Sequence, residues 1–577
     1  MTTMTADAAP APTHAALDQA IEELAAGERV WSRMSLGQRV TLLRAVRTQV
    51  GAVAAEWART AAASKGLDES HPLRGEEWLS GPYSVLGALD ASIETLQRLD
   101  RGGSPLDGVK LSRAPGGRVR VHAFPHSRQD SLLLAGFTGE VWLTPGTTPG
   151  AARKAAGLGQ RTPGVSGGIG LVLGAGNVTS IPVLDVLYEL LAYNRVALLK
   201  LNPTQRALES VFMRALAPLI EPGLVRIVSG DGDVGAYLTA HKAFAHVHIT
   251  GSEQTFNTIV WGPSAGRGAA ATAKRRAADT PKLTTPITAE LGGVSPIIIV
   301  PGPWSEADLR YQAEHVATMR LQNCGHNCIA GQVVLLSADW PQREAFLAAL
   351  RRAYALAPER PLWYPGADAR IAQARDAYPD ALDLAGRVLI ETDAASAEPL
   401  QTTEYFAPVL GVVTLPGTGQ DFLDAAVAHA NEELHGTLGA NVLIDPHTEK
   451  ELGAGFEQAI AALRYGSIAI NCWTAFGYIQ PTLTWGAFPG GTLAEVGSGL
   501  GVVHNALLLD DVERSVTRGP FREFPRSLRG GRQTILPKPP WFVTSRTGAV
   551  VSEGLTRFRI DGNLGRLVKT LVQAMRA

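Results

Sequence analysis

The chain has 577 residues, 45% of them hydrophobic and 19% charged, with a formal net charge of -1. That length is too great for one simple core, so two or more lobes are expected, and the near-zero charge makes no bulk electrostatic case for nucleic acid or a membrane surface. Three cysteines, Cys324, Cys328 and Cys472, exclude a disulfide scaffold and suit a reducing compartment.

The opening MTTMTADAAPAPTHAAL lacks a basic start followed by an apolar run, and it reads as a disordered leader rather than a signal peptide. No uncharged apolar run reaches membrane-spanning length, so a cytoplasmic protein is expected. Residues 15–60 and 85–98 space their Leu, Ile, Val and Ala helically. In residues 118–146, RVRVHAF and EVWLTP alternate like strands between Gly and Pro. From Gly168 the pattern becomes regular. The apolar run IGLVLG precedes a helix over Pro182–Tyr193, and VALLKL precedes a helix over Arg206–Ile220. LVRIV precedes a short helix over Asp233–His241, and FAHVHI follows. Gly262–Asp279 reads as a loop. A second alternation then begins with SPIIIV, a helix over Glu306–Leu321, QVVLLS and a helix over Pro341–Tyr354. Alternating strands and helices predict parallel sheets covered on both faces, here two α/β lobes that meet near Glu290–Gly293.

Six segments carry candidate chemistry. In QNCGHNCIAGQVVLL, Cys328 falls between a helix and a strand, where a thiol nucleophile can be exposed among polar groups. Taken alone it would more often be a core cysteine. The C-x3-C spacing of Cys324 and Cys328 has only His326 beside it, so no metal site is expected. ELGGVSP offers Glu290, which alone could be a turn residue. GAGNV offers Asn177 between a strand and a helix, where an N-cap is the plain reading. VALLKLNP and ITGSEQ put Lys200, Gly251 and Ser252 at strand ends and at a helix start, where free N–H groups suit phosphate. TTEYFAPV carries Glu404 and Phe406.

Taken in chain order, the six segments resemble the aldehyde dehydrogenase superfamily over roughly residues 15–500. The resemblance implies two Rossmann-like lobes and a strand-rich oligomerisation arm. Residues 1–117 would be the helical part of the cofactor domain, 118–146 the arm, 147–291 the dinucleotide-binding domain, 292–485 the catalytic domain, and 486–577 a return segment with a basic tail. It further implies Cys328 as nucleophile, Glu290 as general base, and Asn177 with the backbone N–H of Cys328 as oxyanion donors. For the cofactor, NAD or NADP, it implies Lys200 on the adenosine ribose, Gly251 and Ser252 on the pyrophosphate, Glu404 on the nicotinamide ribose and Phe406 beside the ring. The partners implied are a small aldehyde and further copies of the chain, as a homodimer or homotetramer.

Three positions depart from the family pattern. His326 stands where a glutamine is usual, Gly176 where an aromatic residue is usual, and Pro203 where NAD-preferring members often carry a glutamate. Two alternatives stay open beside hydrolytic aldehyde oxidation: a CoA-acylating dehydrogenase or acyl-CoA reductase, and an inactive scaffold. Past Gly499 the chain exceeds the usual family length, and GPFREFP and KPPWF look similar to the branch linked to phenylacetate degradation. Residues 512–546 carry Arg514, Arg518, Arg522, Arg526, Arg529, Arg532, Lys538 and Arg546 against Glu513 and Glu523. A packed face is the plain reading of that excess, and a surface for a CoA-linked semialdehyde is the sharper one. Leu564, Leu567, Val568, Leu571, Val572 and Met575 are expected on one helical face docked to the body.

Overall fold

The computed structural model describes residues 12–577. Residues 1–11 of the expected leader lie outside the described residues. Its remainder is helical: Thr13 caps the helix His14–Arg33 by accepting from the Ala16 N–H at 3.3 Å, and Leu17 is fully buried.

The first lobe is built on a six-stranded sheet. Its strands in chain order include β1 (Ile169–Leu173), β2 (Val196–Lys200), β3 (Val225–Val228), β4 (Phe244–Gly251) and β5 (Ile287–Leu291), all parallel. In space they run β5-β4-β1-β2-β3, and the short strand Gly499–Leu500 lies antiparallel on β5. The order reverses between β1 and β4, which places a crevice beyond the carboxyl ends of these two strands. Strand 1 is buried at every position, as expected for a parallel strand covered on both faces. One cover is the helix Ile181–Tyr193, whose side chains are almost all buried.

The second sheet is entered directly after β5, with β6 (Ser295–Ile299). Strand β7 (Gly331–Ser337) pairs parallel with β6, and β8 (Val409–Leu415) with β7. On the other side of β6 lie Gly439–Leu443, Ser467–Ile470 and Val512–Arg518 in turn, also parallel. The strands Val119–Phe124 and Thr138–Leu143 then pair antiparallel with each other and continue onto Val512–Arg518, with Val141 opposite Ser515 and Thr138 opposite Arg518. Residues 118–146 thus extend the second lobe's sheet within one chain, and residues 512–518 form an inner strand of it.

Several local expectations are corrected. Gly262–Asp279 contains a helix, Ala269–Ala277, which starts after a left-handed Gly268. The single helix expected over Arg206–Ile220 is three pieces, Pro203–Leu208, Glu209–Ala215 and Ala217–Ile220. Pro218 explains the last break, because it lacks an N–H and its ring crowds the preceding turn. The final helix Leu564–Ala574 docks through Leu567, Thr570 and Ala574. Leu564, Val568, Val572 and Met575 stay 49–68% exposed rather than facing the body. Among the described residues, no helix is long and apolar enough to cross a membrane.

The basic tail is threaded into its own chain. Arg522 pairs with Asp308 at 2.8 Å, and Arg526 pairs with the same carboxylate and with Glu523. Arg518 meets Glu457 at 2.5 Å, Lys538 meets Glu314 at 2.5 Å, and Arg514 meets Glu513 at 3.3 Å. Arg532 donates to Thr138 Oγ1 at 3.1 Å. Six of the eight cations are therefore engaged internally, which is the packed-face reading and leaves little for a CoA-phosphate surface.

Candidate active site

The site forms where the carboxyl ends of the first lobe's strands face the second lobe. The helix Glu306–Leu321 ends at the turn Gln322–Gly325, and β7 begins at Gly331. Cys328 lies between them. Asn323 and Cys324 both take left-handed backbone, at φ 52° and 58°, followed by Gly325 at 75°. Such a run costs non-glycine residues energy and needs outside partners to persist.

Glu290 is the penultimate residue of β5. Its carboxyl accepts from Trp485 Nε1 at 3.2 Å and neighbours the Cys328 thiol. Burial pushes this carboxyl up to about 7. Burial, and then the neighbouring Glu290, also hold the Cys328 thiol well above its usual range. The expectation that polar surroundings would favour the thiolate is corrected: the resting thiol is neutral because its nearest ionisable neighbour is an acid in a dry pocket. Cys324 and Cys472 are also held up by burial, to about 11 and about 12. Thiolate population therefore does not single out Cys328, whereas the adjoining base does.

Asn177 follows β1. Its amide Nδ2 donates to the His326 carbonyl at 2.9 Å, which brings it to the nucleophile loop. It does not cap the following helix, whose N-terminus has no side-chain cap. Gly176 stands where an aromatic residue was expected because a Cβ there would meet the Asn202 and Thr204 side chains at 2.8 Å. His326 is buried and neutral, with burial lowering its pKa to about 3, and its Nδ1 donates to the Phe406 carbonyl at 2.7 Å. It therefore ties the nucleophile loop to the segment carrying Glu404 and Phe406.

A cavity of about 70 Å³ opens at Cys328. Trp473, Phe476, Tyr478, Trp485, Trp541 and Ile181 are among its walls. Sequence reasoning named none of these. Trp473, Phe476, Tyr478 and Trp485 share one signal, a run of aromatic residues over 473–488, whose turns give no period that would assign a side chain to the pocket.

The cofactor candidates lie around the strand-end crevice. Lys200 closes β2, and burial lowers its pKa. Gly251 closes β4 and is exposed, and Ser252 caps the helix Glu253–Trp261 by accepting the Thr255 N–H at 3.2 Å. Burial pushes the Glu404 carboxyl up to about 7, against a backbone N–H of Gly293 that lowers it. Its Oε1 is buried and has no hydrogen-bond partner. Gly292 makes room for this carboxyl, because a Cβ there would overlap it. A buried acceptor without a donor fits a ligand hydroxyl.

Two buried clusters near the site also escaped the sequence. Asp185 accepts from Thr250 Oγ1 at 3.0 Å and lies 3.5 Å from His248 Nε2 and 3.4 Å from His504 Nε2. Behind the nucleophile loop, Lys65, Glu76, Glu77 and Arg360 form a group of four charges. One faint signal exists for the second: Lys65 is the first lysine in the chain, at the end of an Ala-rich helix.

A thiol, a carboxyl and an amide thus converge between two sheets of an α/β fold. The aldehyde dehydrogenase family model matches residues 177–357 of the chain. It is 35% identical over 131 residues to betaine aldehyde dehydrogenase 2 of Rhizobium meliloti (strain 1021), covering 23% of this chain and 22% of that protein. It is 25% identical over 331 residues to 3,6-anhydro-alpha-L-galactose dehydrogenase of Streptomyces coelicolor, covering 57% and 52%. The matched segments thus span from about a fifth to about half the length of these curated relatives. Among solved structures, an NAD-dependent aldehyde dehydrogenase of Burkholderia multivorans shares the fold at TM-score 0.59 and 18% identity, covering 88% of this chain and 84% of that one. Aldehyde dehydrogenase C of Pseudomonas syringae, complexed with NAD+ and octanal, does so at TM-score 0.59 and 16% identity, covering 89% and 90%.

Proposed function

We propose that the protein oxidises an aldehyde to a carboxylic acid with a nicotinamide dinucleotide, through a thioester on Cys328. The observation that carries this reading is the Cys328 thiol at the apolar cavity with the Glu290 carboxyl, held by Trp485 Nε1, as its ionisable neighbour. Glu290 takes the thiol proton as sulfur bonds to the aldehyde carbon. Asn177 Nδ2 and the Cys328 N–H stabilise the oxyanion, donors of a kind typically worth about 3–4 kcal/mol. The dinucleotide, when bound, supplies the hydride acceptor. Lys200, Ser252 and the helix start after it, Glu404 and Phe406 would hold it. After releasing the thiol proton to solvent, Glu290 accepts a proton from the water that hydrolyses the thioester.

The walls of the cavity suit an apolar aldehyde. A semialdehyde from aromatic catabolism is the substrate class that the resemblance of the C-terminal segment suggests. Pro203 leaves no carboxylate to repel a 2′-phosphate, so NAD and NADP both belong in the trial. Three free cysteines suit a reducing compartment such as the cytoplasm. A homodimer or homotetramer is proposed from the likeness of residues 118–146 to a subunit-pairing arm, and a monomer by light scattering rejects it.

The test is a panel of aldehydes with NAD or NADP, with and without CoA, followed by NAD(P)H absorbance. Oxidation without CoA supports hydrolysis by Glu290-activated water. Turnover only with CoA transfers the acyl group to CoA instead. No turnover with any aldehyde rejects the reading in favour of a scaffold.

A further inference from the structure

The nucleophile loop is held from behind by four charges that the chemistry above does not use. Lys65 follows the helix Leu36–Ser64. Its Nζ donates to the Asn177 carbonyl at 3.0 Å and to Asn323 Oδ1 at 3.2 Å, and it pairs with Glu77 at 2.8 Å. Glu76 accepts the Asn323 N–H at 3.1 Å and pairs with Arg360. Arg360 donates in turn to Asn323 Oδ1 at 3.3 Å and lies 3.7 Å from Glu77. Asn323 Nδ2 closes the circuit by donating to the Asn177 and His326 carbonyls, both at 3.1 Å.

These four side chains are 1–6% exposed, and their formal charges cancel. Burying four charges carries a desolvation penalty that apolar packing would avoid, so stability alone gives weak grounds for keeping them. What they do share is a set of partners. Lys65 grips the backbone of the oxyanion asparagine and the side chain of the first left-handed residue of the nucleophile loop. Glu76 grips the backbone N–H of that same residue. The loop could relax out of its left-handed run, and these contacts oppose that.

We propose that Lys65 is a positioning residue for the reaction, fixing Asn177 and the Asn323–Cys328 loop at one separation, with Glu77, Glu76 and Arg360 neutralising it and bracing the loop. The proposal rests on the aldehyde-oxidation reading for its kinetic arm only. Lys65 touches no reacting atom. Its loss should let the amide donor and the sulfur drift apart, and displacements of about 1 Å cost roughly 100-fold in rate.

Lys65→Met alone strands Glu77 and is expected to lose stability as well as activity. The decisive variant is therefore Lys65→Met/Glu77→Gln, which removes both charges together. Its melting temperature should return towards that of the wild type. Its kcat should stay roughly 10- to 100-fold low with KM changed less than about threefold, because the grip on Asn177 and Asn323 is still missing. A second readout needs no aldehyde: the rate of Cys328 alkylation by iodoacetamide, followed by mass spectrometry with buried Cys324 and Cys472 as internal controls. That rate should differ from the wild type by several-fold in the double variant. Recovery of both kcat and alkylation rate together with stability would overturn the proposal and leave the cluster structural. If the wild type oxidises no aldehyde, the functional reading fails, and the alkylation rates still decide whether Lys65 positions the loop.

Discussion

The Asn177 amide donates to the His326 carbonyl at 2.9 Å, two residues before Cys328. One amide hydrogen is thereby fixed on the nucleophile loop, and the second remains for an oxyanion forming at the sulfur. Asn177→Ala should lower kcat by roughly 100- to 1,000-fold, the usual cost of one such donor, with a smaller change in KM. Steady-state kinetics check this, and a variant within about twofold of the wild type would remove Asn177 from the oxyanion role.

Cys328→Ala should abolish turnover while retaining dinucleotide binding, measured by calorimetry. Cys324→Ala and Cys472→Ala should keep most of the activity, because neither thiol has a base comparable to Glu290 beside it. Mass spectrometry of the quenched wild type should find the acyl adduct on Cys328, and an adduct on another cysteine would contradict the assignment.

Glu290 sets the expected pH dependence. Burial raises its carboxyl to about 7, so it is neutral below that pH and becomes a base above it. The rate should therefore climb with pH through about 7, and Glu290→Gln should remove that limb. Because Glu290 takes the thiol proton before hydride transfer, the same variant should slow the burst of NAD(P)H as well as the steady-state rate. Stability runs the other way. The unfolded chain releases this proton near pH 4.5 and the folded chain holds it to about 7, so stability falls as pH rises across that window. Glu404 is raised to the same value and adds to the slope, so Glu290→Gln should reduce the slope rather than abolish it.

Asp308 anchors the C-terminal tail. It caps its own helix through Ser305 and pairs with Arg522 and Arg526, and its pKa is lowered to about 2 by hydrogen bonds that outweigh burial. Asp308→Ala should cost about 2–5 kcal/mol, because it removes a capping partner, strands the Arg522 guanidinium and leaves Arg526 only Glu523. Denaturant unfolding measures this, and limited proteolysis should show earlier cleavage over 520–546. The stabilisation by Asp308 is present above about pH 3.8 and is lost as pH falls through about 2. Neutralising Arg526 and Arg532 should likewise lower stability, without a salt-sensitive change in KM for a CoA-linked aldehyde.

The alternation of apolar runs with helical spacing was enough to mark an α/β fold, because parallel strands buried on both faces write themselves as short apolar blocks. Cys328, Glu290 and Asn177 could be picked out only through the likeness of their short segments to aldehyde dehydrogenases, since each alone has a plain structural reading, and the structure brings these three together. Local pattern could not show the neutral state of the Cys328 thiol, since that follows from burial and from Glu290, 38 residues earlier in the chain. Nor could it show that Arg522 and Arg526 would reach Asp308, or that Lys65 would grip Asn177 and Asn323. Each pairing joins residues more than a hundred positions apart, and charge attraction leaves no periodicity in the sequence to mark it. The inner strand Val512–Arg518 shows the same division: its residues alternate weakly and carry Glu513, Arg514 and Arg518, so only the strands on either side of it and the buried ion pairs decide that it runs through the sheet.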